Sequence, residues 1–478
     1  MLSYDMAKRG QLPLYEHLYR CIKDDILTGA LAPDDRLPSK RRLSEHLGIS
    51  LITVEGAYSQ LLAEGYIYTL PRKGYYVCKL PSGIGQMPAH AVRLTAQAKR
   101  EPDTATAMPS NLIADFSHPT THAQSSAAEL WGKTLRSTLA HEPQEELFCS
   151  LPAQGSLRLR TAIADYLGHA RGMDVSPDCI VIGAGAQMLY TYVSLLFGPD
   201  APIALENPGY PRLKGIYSAL GHDICPIDLD ADGIGVFQLE RSHAQLAHVM
   251  PSHQFPTGRV MSVARRYELL SWASRRPERY VIEDDYDWEF RFAGMPIPAL
   301  ESIDIKSKVI YISTFSKSLS SALRVAFVIL PEPLMERFNS KLGFLANTVS
   351  ALDQVALARL IESGDYEKHL NRYKKQSRAT RDALIEALSR SAFGDRMGIE
   401  EKDSGLHFVL SAASQRSEDT IAQLAREEGV LLAPLSSYLL SAHDPASEHG
   451  IARFVMQYDG LNLDAVQAVV DTLERAIA

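Results

Sequence analysis

Ser313-Thr314-Phe315-Ser316-Lys317 follows the apolar run Val309-Ile310-Tyr311-Ile312 and precedes Arg324, and the fold of this chain turns on how that stretch is read. A lysine captures an aldehyde as a Schiff base only if its amine can lose its proton, which a nearby cation or a desolvated pocket promotes. Lys317 comes after a strand-like run and two hydroxyls, with Arg324 beyond it. Thr314, Ser316 and Arg324 are residue types that ligate a phosphate, the arginine through paired charge-assisted hydrogen bonds. Taken alone, one lysine is more often surface charge.

The acidic run Glu283-Asp284-Asp285-Tyr286 makes the lysine more telling. It ends a second apolar run, Tyr280-Val281-Ile282, and strand alternation over Tyr280 to Tyr286 puts Asp284 and Tyr286 on one side. Pyridoxal phosphate requires a carboxylate at its ring nitrogen to act as an electron sink, and the neighbouring tyrosine suits its phenolic oxygen. Further upstream, Gly183-Ala184-Gly185-Ala186-Gln187 lies between the run ending at Ile182 and a helix, where free backbone amides cradle phosphate. In the loop Glu206-Asn207-Pro208-Gly209-Tyr210-Pro211-Arg212, Tyr210 offers a ring to stack on a cofactor and Arg212 a contact for an anion.

Between these motifs, short apolar strands at Ile180-Val181-Ile182 and Ile203-Ala204-Leu205 alternate with helical stretches, the signature of a parallel α/β sheet. Long helices dominate from about Asn347, including one from Tyr366 to Leu388, and the C-terminal end mixes strands with helices.

The first 80 residues follow another pattern. Leu14, Leu18, Ile22 and Ile26 recur at helical spacing and Gly29 stops that helix. Ser39 caps a second helix running to Gly48, and Ser50 a third running to Gly65. Tyr66 to Leu70 and Tyr75 to Cys78 flank Pro71-Arg72-Lys73-Gly74 as a basic hairpin. Helix, helix-turn-helix and hairpin make a winged helix, whose third helix enters the DNA major groove. The candidate DNA contacts are Ser39, Lys40, Arg41 and Arg42 at the second helix start, Ser50 and Thr53 on the third helix, and Arg72 and Lys73 at the wing.

At 478 residues the chain is long enough for two or three domains. The net charge of -8 conceals an asymmetry: residues 1 to 80 carry eleven Lys and Arg against nine Asp and Glu, and the remainder 38 against 48. A nucleic-acid surface therefore belongs at the N-terminal end. Five scattered cysteines, none spaced as CxxC, point to reduced thiols and neither to a disulfide framework nor to a zinc site, so no metal is expected. Without a long apolar run or a signal-peptide layout, the expectation is a cytoplasmic protein that does not engage the membrane.

Leu37-Pro38-Ser39-Lys40-Arg41-Arg42-Leu43, Leu47-Gly48-Ile49-Ser50 and Thr53-Val54 resemble the GntR family of bacterial regulators over residues 12 to 78. Members often carry Arg where this chain has Leu51, and some where it has Glu55. From about Ile113 onward the chain resembles a fold-type I aminotransferase. That resemblance implies Lys317 as the Schiff-base lysine, Asp284 at the ring nitrogen, Tyr286 at the phenolic oxygen and Tyr210 as the stacking ring. It gives the phosphate to Ala186, Gln187, Thr314, Ser316 and Arg324, and a ligand carboxylate to Arg453. The chain departs from aminotransferases at Phe255-Pro256-Thr257-Gly258, where Phe255 replaces the amide that tunes the cofactor's oxygen, and at Ser321-Ala322, which replaces a usual Pro-Gly.

Pro251-Ser252-His253-Gln254-Phe255-Pro256-Thr257-Gly258 together with the acidic run is instead similar to the MocR subgroup of GntR regulators. The implied fold is a winged helix-turn-helix (1–79), a Pro/Ala/Ser-rich linker (80–112) and an α/β pyridoxal-phosphate-dependent transferase fold of type I (113–478). Its large subdomain is expected at about 150–345 and its small subdomain at about 346–478 with part of 113–149. The implied function is transcription regulation. Promoter DNA is the expected partner, a small amine, an amino acid or pyridoxal phosphate itself the signal, and a head-to-tail homodimer the assembly. The alternative is a working aminotransferase with an appended DNA-binding domain.

Overall fold

The computed structural model describes residues 2–80, 111–117, 124–292, 297–392, 394–403, 405–441 and 450–478. The chain divides into two units, Met1–Ala107 and Met108–Ala478. Most of the expected linker, residues 81–110, lies outside the described residues.

In the first unit the helix Leu14–Thr28 buries Leu18, Ile22 and Ile26, the face its four-residue spacing dictates, and ends at Gly29 in the left-handed region (φ 80°). The helix Lys40–Leu47 starts at Ser39, whose hydroxyl accepts from the Arg42 amide. The helix Leu51–Ala63 starts at Ser50, which accepts from the Thr53 amide at 3.2 Å. These helices and the antiparallel hairpin Ile67–Leu70 with Gly74–Val77 enclose a core of Leu18, Ile22, Leu43, Val54, Ala57, Tyr58 and Leu61. Tyr58, fully buried, donates its hydroxyl to the Pro38 carbonyl at 3.0 Å and so ties the third helix to the segment before the second.

The second unit is built on an eight-stranded sheet. In spatial order its strands are Ile180–Gly183, Ala326–Ile329, Val309–Thr314, Tyr280–Asp284, Leu246–Val249, Ile203–Asn207, Ile224–Asp230 and Gly233–Ile234. The strands from Val309–Thr314 to Ile224–Asp230 run parallel, as the alternation of apolar runs and helices requires. Two strands depart from that expectation: Gly233–Ile234 pairs antiparallel at one edge, and the other is the strand next to the opposite edge. Ala326–Ile329 runs antiparallel to both of its neighbours, because the eleven residues Phe315 to Val325 are too few for a crossover helix. Near-continuous apolar strands suit a sheet covered on both faces, and its side chains fill separate cores on the two sides.

A second, antiparallel sheet follows the long helix Asp365–Arg390. It holds Met397–Glu400, His407–Ala413, Ile451–Gln457 and Ala433–Pro434 in that order. Helices Asp365–Arg390, Glu418–Glu427 and Val466–Ile477 contribute to the core against Phe408, Leu410, Phe454 and Met456. The pair Ala114–Asp115 with Val430–Leu431 ties the start of this unit to its C-terminal part. No helix among the described residues is long and apolar enough to cross a membrane.

Two stability predictions follow from this packing. Ser50→Ala removes the cap of the third helix and is expected to cost about 1 kcal/mol, measured as a lower urea midpoint for the N-terminal unit. Glu206, at the end of Ile203–Asn207, is 5% exposed, and burial pushes its carboxyl from 4.5 to about 8. The folded state thus keeps a proton that the unfolded chain releases, so this contribution is complete below pH 4.5 and is lost as pH rises to about 8. Glu206→Gln is expected to leave Tm near wild type at about pH 5 and to raise it at about pH 8, at roughly 2–4 °C per kcal/mol. Calorimetry at the two pH values checks it.

Candidate functional site

Strand register gathers the first set of site residues. Ala326 pairs with Thr314 on one side and Gly183 on the other, so the ends of two strands and the start of a third lie level. Ile312 pairs with Asp284, which places the carboxylate two residues below Thr314 in the same sheet. Past Thr314 the chain turns through Ser316 and Lys317. The Ser316 amide donates to Thr314 Oγ1 at 3.1 Å, and the Thr314 hydroxyl donates to Ser316 Oγ at 3.0 Å. Past Gly183 the helix Ala186–Phe197 begins, its first amides lacking helical partners by geometry. Gly185 has φ 81°, a backbone that favours glycine, and the point a Cβ would occupy is 2.4 Å from the Arg324 guanidinium. Arg324 therefore lies against the start of that helix, beside Ala186 and Gln187.

Strand Tyr280–Asp284 stops at Asp284, so the expected alternation does not carry as far as Tyr286, which follows in a bend. Asp284 nonetheless lies near enough to help raise the buried Tyr286 phenol. Asp284 Oδ2 accepts from the Tyr190 hydroxyl at 2.5 Å and lies 3.4 Å from His248 Nε2, while His248 Nδ1 meets the Tyr217 hydroxyl at 2.8 Å. Asp284 Oδ1 is buried with no hydrogen-bond partner among the described residues. Its neighbours in sequence have other work. Glu283 accepts from the Leu300 and Glu301 amides, and Asp285 pairs with Arg171 at 2.5 Å and accepts from the Tyr311 hydroxyl at 3.0 Å.

Phe255 stands at the centre of an aromatic cluster. Its ring lies edge-on to Tyr210 (5.7 Å), Tyr286 (6.4 Å), His407 (5.2 Å) and Tyr438 (5.2 Å). Lys317 acts on two buried groups of the C-terminal part, His407 and Asp459. Burial, then His253 and Lys317, hold His407 well below its usual range; burial pushes Asp459 up to about 6 against the pull of Lys317. Both Asp459 carboxylate oxygens are buried without a hydrogen-bond partner among the described residues. Arg453, opposite Ser411, alternates onto the same sheet face as Val455, which packs with Phe255 and Tyr438. Arg212, exposed at the start of helix Pro211–Ala219, lies beside Tyr210 and works against the burial that raises that phenol.

Several residues here were not singled out in the sequence: Tyr190, His248, Tyr438, Asp459, and the trio His253, Asp287 and His407. Each of the trio is buried and offers a metal-ligand-type atom within 4.8 Å of the others. His253 sits in the quoted Pro251–Gly258 motif, but only tertiary contacts bring it against Asp287.

In the N-terminal unit, Ser39, Arg41, Arg42, Ser50, Arg72 and Lys73 are exposed, and Arg72 turns the hairpin with φ 62°. Thr53 is half-buried, its hydroxyl 2.8 Å from Ser50 Oγ. The Lys40 ammonium pairs with Glu55 at 3.0 Å and lies 5.8 Å from the Tyr75 ring centre, its side chain 28% exposed. Arg36, which the sequence had not flagged, approaches the wing at Gly74, and Ile52 is 79% exposed at the start of the third helix.

Residues 116–456 match the family of aminotransferase class I and II, and residues 14–77 match the bacterial regulatory proteins of the gntR family. The chain is 36% identical over 474 residues to the uncharacterized HTH-type transcriptional regulator YhdI of Bacillus subtilis, covering 99% of this chain and 97% of that one. It is 29% identical to the probable rhizopine catabolism regulatory protein MocR of Rhizobium meliloti, covering 98% and 95%. The multiple substrate aminotransferase of Thermococcus profundus superposes with a TM-score of 0.67 at 21% identity, over 83% of this chain and 97% of that one, which shows the fold. A gntR-family module ahead of an aminotransferase fold, matched end to end by such relatives, places this chain in the MocR-type family of HTH transcriptional regulators.

Proposed function

We propose that this regulator binds pyridoxal phosphate at Lys317 and promoter DNA through its winged helix, and that ligand chemistry at the first site controls the second. The observation that carries the reading is the Asp284 carboxylate, held by Tyr190 on one oxygen and buried without a partner on the other. A buried, unmatched acceptor is costly, and a protonated ring nitrogen satisfies it. Gly185, the start of helix Ala186–Phe197 and Arg324 form a cradle that suits the phosphate, with Thr314 and Ser316 at the strand ends. Tyr210 offers the stacking ring and Tyr286 the contact to the phenolic oxygen. When bound, the cofactor supplies a carbonyl-like carbon that an amine attacks and a ring that withdraws electrons.

The chain's own residues then divide the work. Lys317 would hold the cofactor through its amine, at the position where an amino ligand would compete with it. Arg453 and Arg212 select ligands carrying an anionic group. The buried His407 and Asp459 come from the C-terminal subdomain, so displacing the lysine changes the charge that subdomain meets. The signal is a small amino compound or pyridoxal phosphate itself. By resemblance, the working unit is a head-to-tail homodimer in the cytoplasm, with domain bounds 1–79, 80–112 and 113–478, and it makes no use of a membrane.

Wild-type protein reduced with borohydride in pyridoxal phosphate is expected to carry the cofactor on a Lys317 peptide, and Lys317→Ala to carry none. Promoter binding by wild type is expected to change with the cofactor or with added amino compounds, while Lys317→Ala does not respond. Equal responses in both proteins would overturn the sensor reading, and sustained transamination at ordinary enzyme rates would favour the enzyme alternative. At the DNA end, Arg41→Ala is expected to weaken promoter binding and to lower the salt slope by about 1. A loss confined to one base position with the slope intact would contradict a phosphate contact.

A further inference from the structure

His253 Nδ1 lies 2.9 Å from Asp287 Oδ2 and 3.2 Å from the Tyr286 hydroxyl oxygen. An ionised carboxylate only accepts, so the proton sits on Nδ1 and this N–H is shared between the carboxylate and the phenol oxygen. The phenol oxygen is then an acceptor towards His253, and its own proton must point elsewhere. We propose that His253, oriented by Asp287, is a positioning residue that turns the Tyr286 proton towards the phenolic oxygen of bound pyridoxal phosphate. The inference rests on the reading of Tyr286 and Lys317 given above. It adds a part that neither the motifs nor the family resemblance assigned to the histidine.

Three further observations agree. His253 is 3% exposed and its ring is caged: a Cβ at Gly405 would lie 1.7 Å from His253 Cε1, and the His407 ring centre is 4.4 Å away. Its Nε2 is buried without a hydrogen-bond partner among the described residues, so the ring's polar contacts are made through Nδ1. Burial, followed by Asp287 and Asp284, holds the Tyr286 phenol well above its usual range, so the phenol keeps the proton that the arrangement directs. With Phe255 in place of an amide, Tyr286 is the donor this site has for that oxygen. The groups facing His253 are Asp287 and Tyr286 from the segment after the strand, with His407 and Glu401 from the C-terminal part. The trio His253, Asp287 and His407 has the composition of a metal site, but Nδ1 of His253 already serves Asp287 and Tyr286.

The test follows the absorbance of pyridoxal phosphate bound to full-length protein between about pH 5 and 10, the range that brackets histidine and phenol titration. A donor to the phenolic oxygen stabilises its ionised form, so losing that donor raises the midpoint. His253→Phe is expected to raise it by about one unit, a tenfold change, with promoter binding retained in the absence of cofactor. Should His253→Phe fail to fold, the smaller His253→Leu replaces it with the same expectation. His253→Asn, whose amide stands near the Nδ1 position, is expected to restore most of the wild-type midpoint. Tyr286→Phe is expected to raise the midpoint at least as far, and adding His253→Phe to it should have no further effect, because the histidine acts through the tyrosine. An unchanged midpoint in His253→Phe, or additive shifts in the double variant, would overturn the proposal. So would a wild-type midpoint that moves when a chelator is added, which would assign the trio to a metal ion. If wild type shows no bound-cofactor band and gains no label at Lys317, the cofactor reading itself fails, a different outcome from a normal band that His253 does not influence.

Discussion

The length of one connection governs the site. Eleven residues separate the strand ending at Thr314 from the one beginning at Ala326, too few for the helix that a parallel return needs. The chain must therefore come straight back, and the turn it makes carries Ser316 and Lys317 across the ends of the parallel strands. Because Ala326 is registered against both Thr314 and Gly183, that return also brings in the helix start at Ala186. Arg324 then occupies the space beside Gly185 that any side chain would fill. The lysine, hydroxyls and arginine of this connection meet the distant helix start at Ala186 because of one antiparallel pairing.

The acidic run shows how a buried cluster of like charges is tolerated. Placed together in a medium of low dielectric, such carboxylates repel one another and lose hydration, and each needs its own compensation. Glu283 takes two backbone amides, Asp285 an arginine and a phenol, and Asp287 a histidine. Within the run it is Asp284, at the strand's end, that keeps a buried oxygen without a partner among the described residues.

In the winged helix the economy of charge is different. The module is nearly neutral, so the field it presents to DNA depends on which cations remain outward. Glu55 pairs with the partly exposed Lys40, while Arg41, Arg42, Arg72 and Lys73 are exposed around the second helix start and the wing. Caps at Ser39 and Ser50 fix where the two helices begin.

Local order was legible in the chain itself. Apolar spacing with glycine stops marked the first three helices, apolar runs marked the central strands, and glycine, lysine and acidic motifs marked the strand ends, because each rests on neighbours a few residues apart. Edge pairing was not legible, since direction depends on what a connection can span once the sheet exists. Nor was the end of the strand: alternation was carried to Tyr286, whereas the strand stops two residues earlier. The pairing of Lys40 with Glu55 was not legible, because the two residues lie on different helices. Tyr190, His248, His253, His407 and Asp459 are ordinary residues in sequence. The tyrosine and histidines act through hydrogen bonds and ring contacts, and Asp459 through its charge near Lys317, between segments tens to hundreds of residues apart. The sequence alone thus determined which elements form and which family chemistry they carry. Only the tertiary structure decided how each buried charge is compensated and which groups orient the reactive ones, because burial and partnership belong to the packed chain and not to any stretch of it.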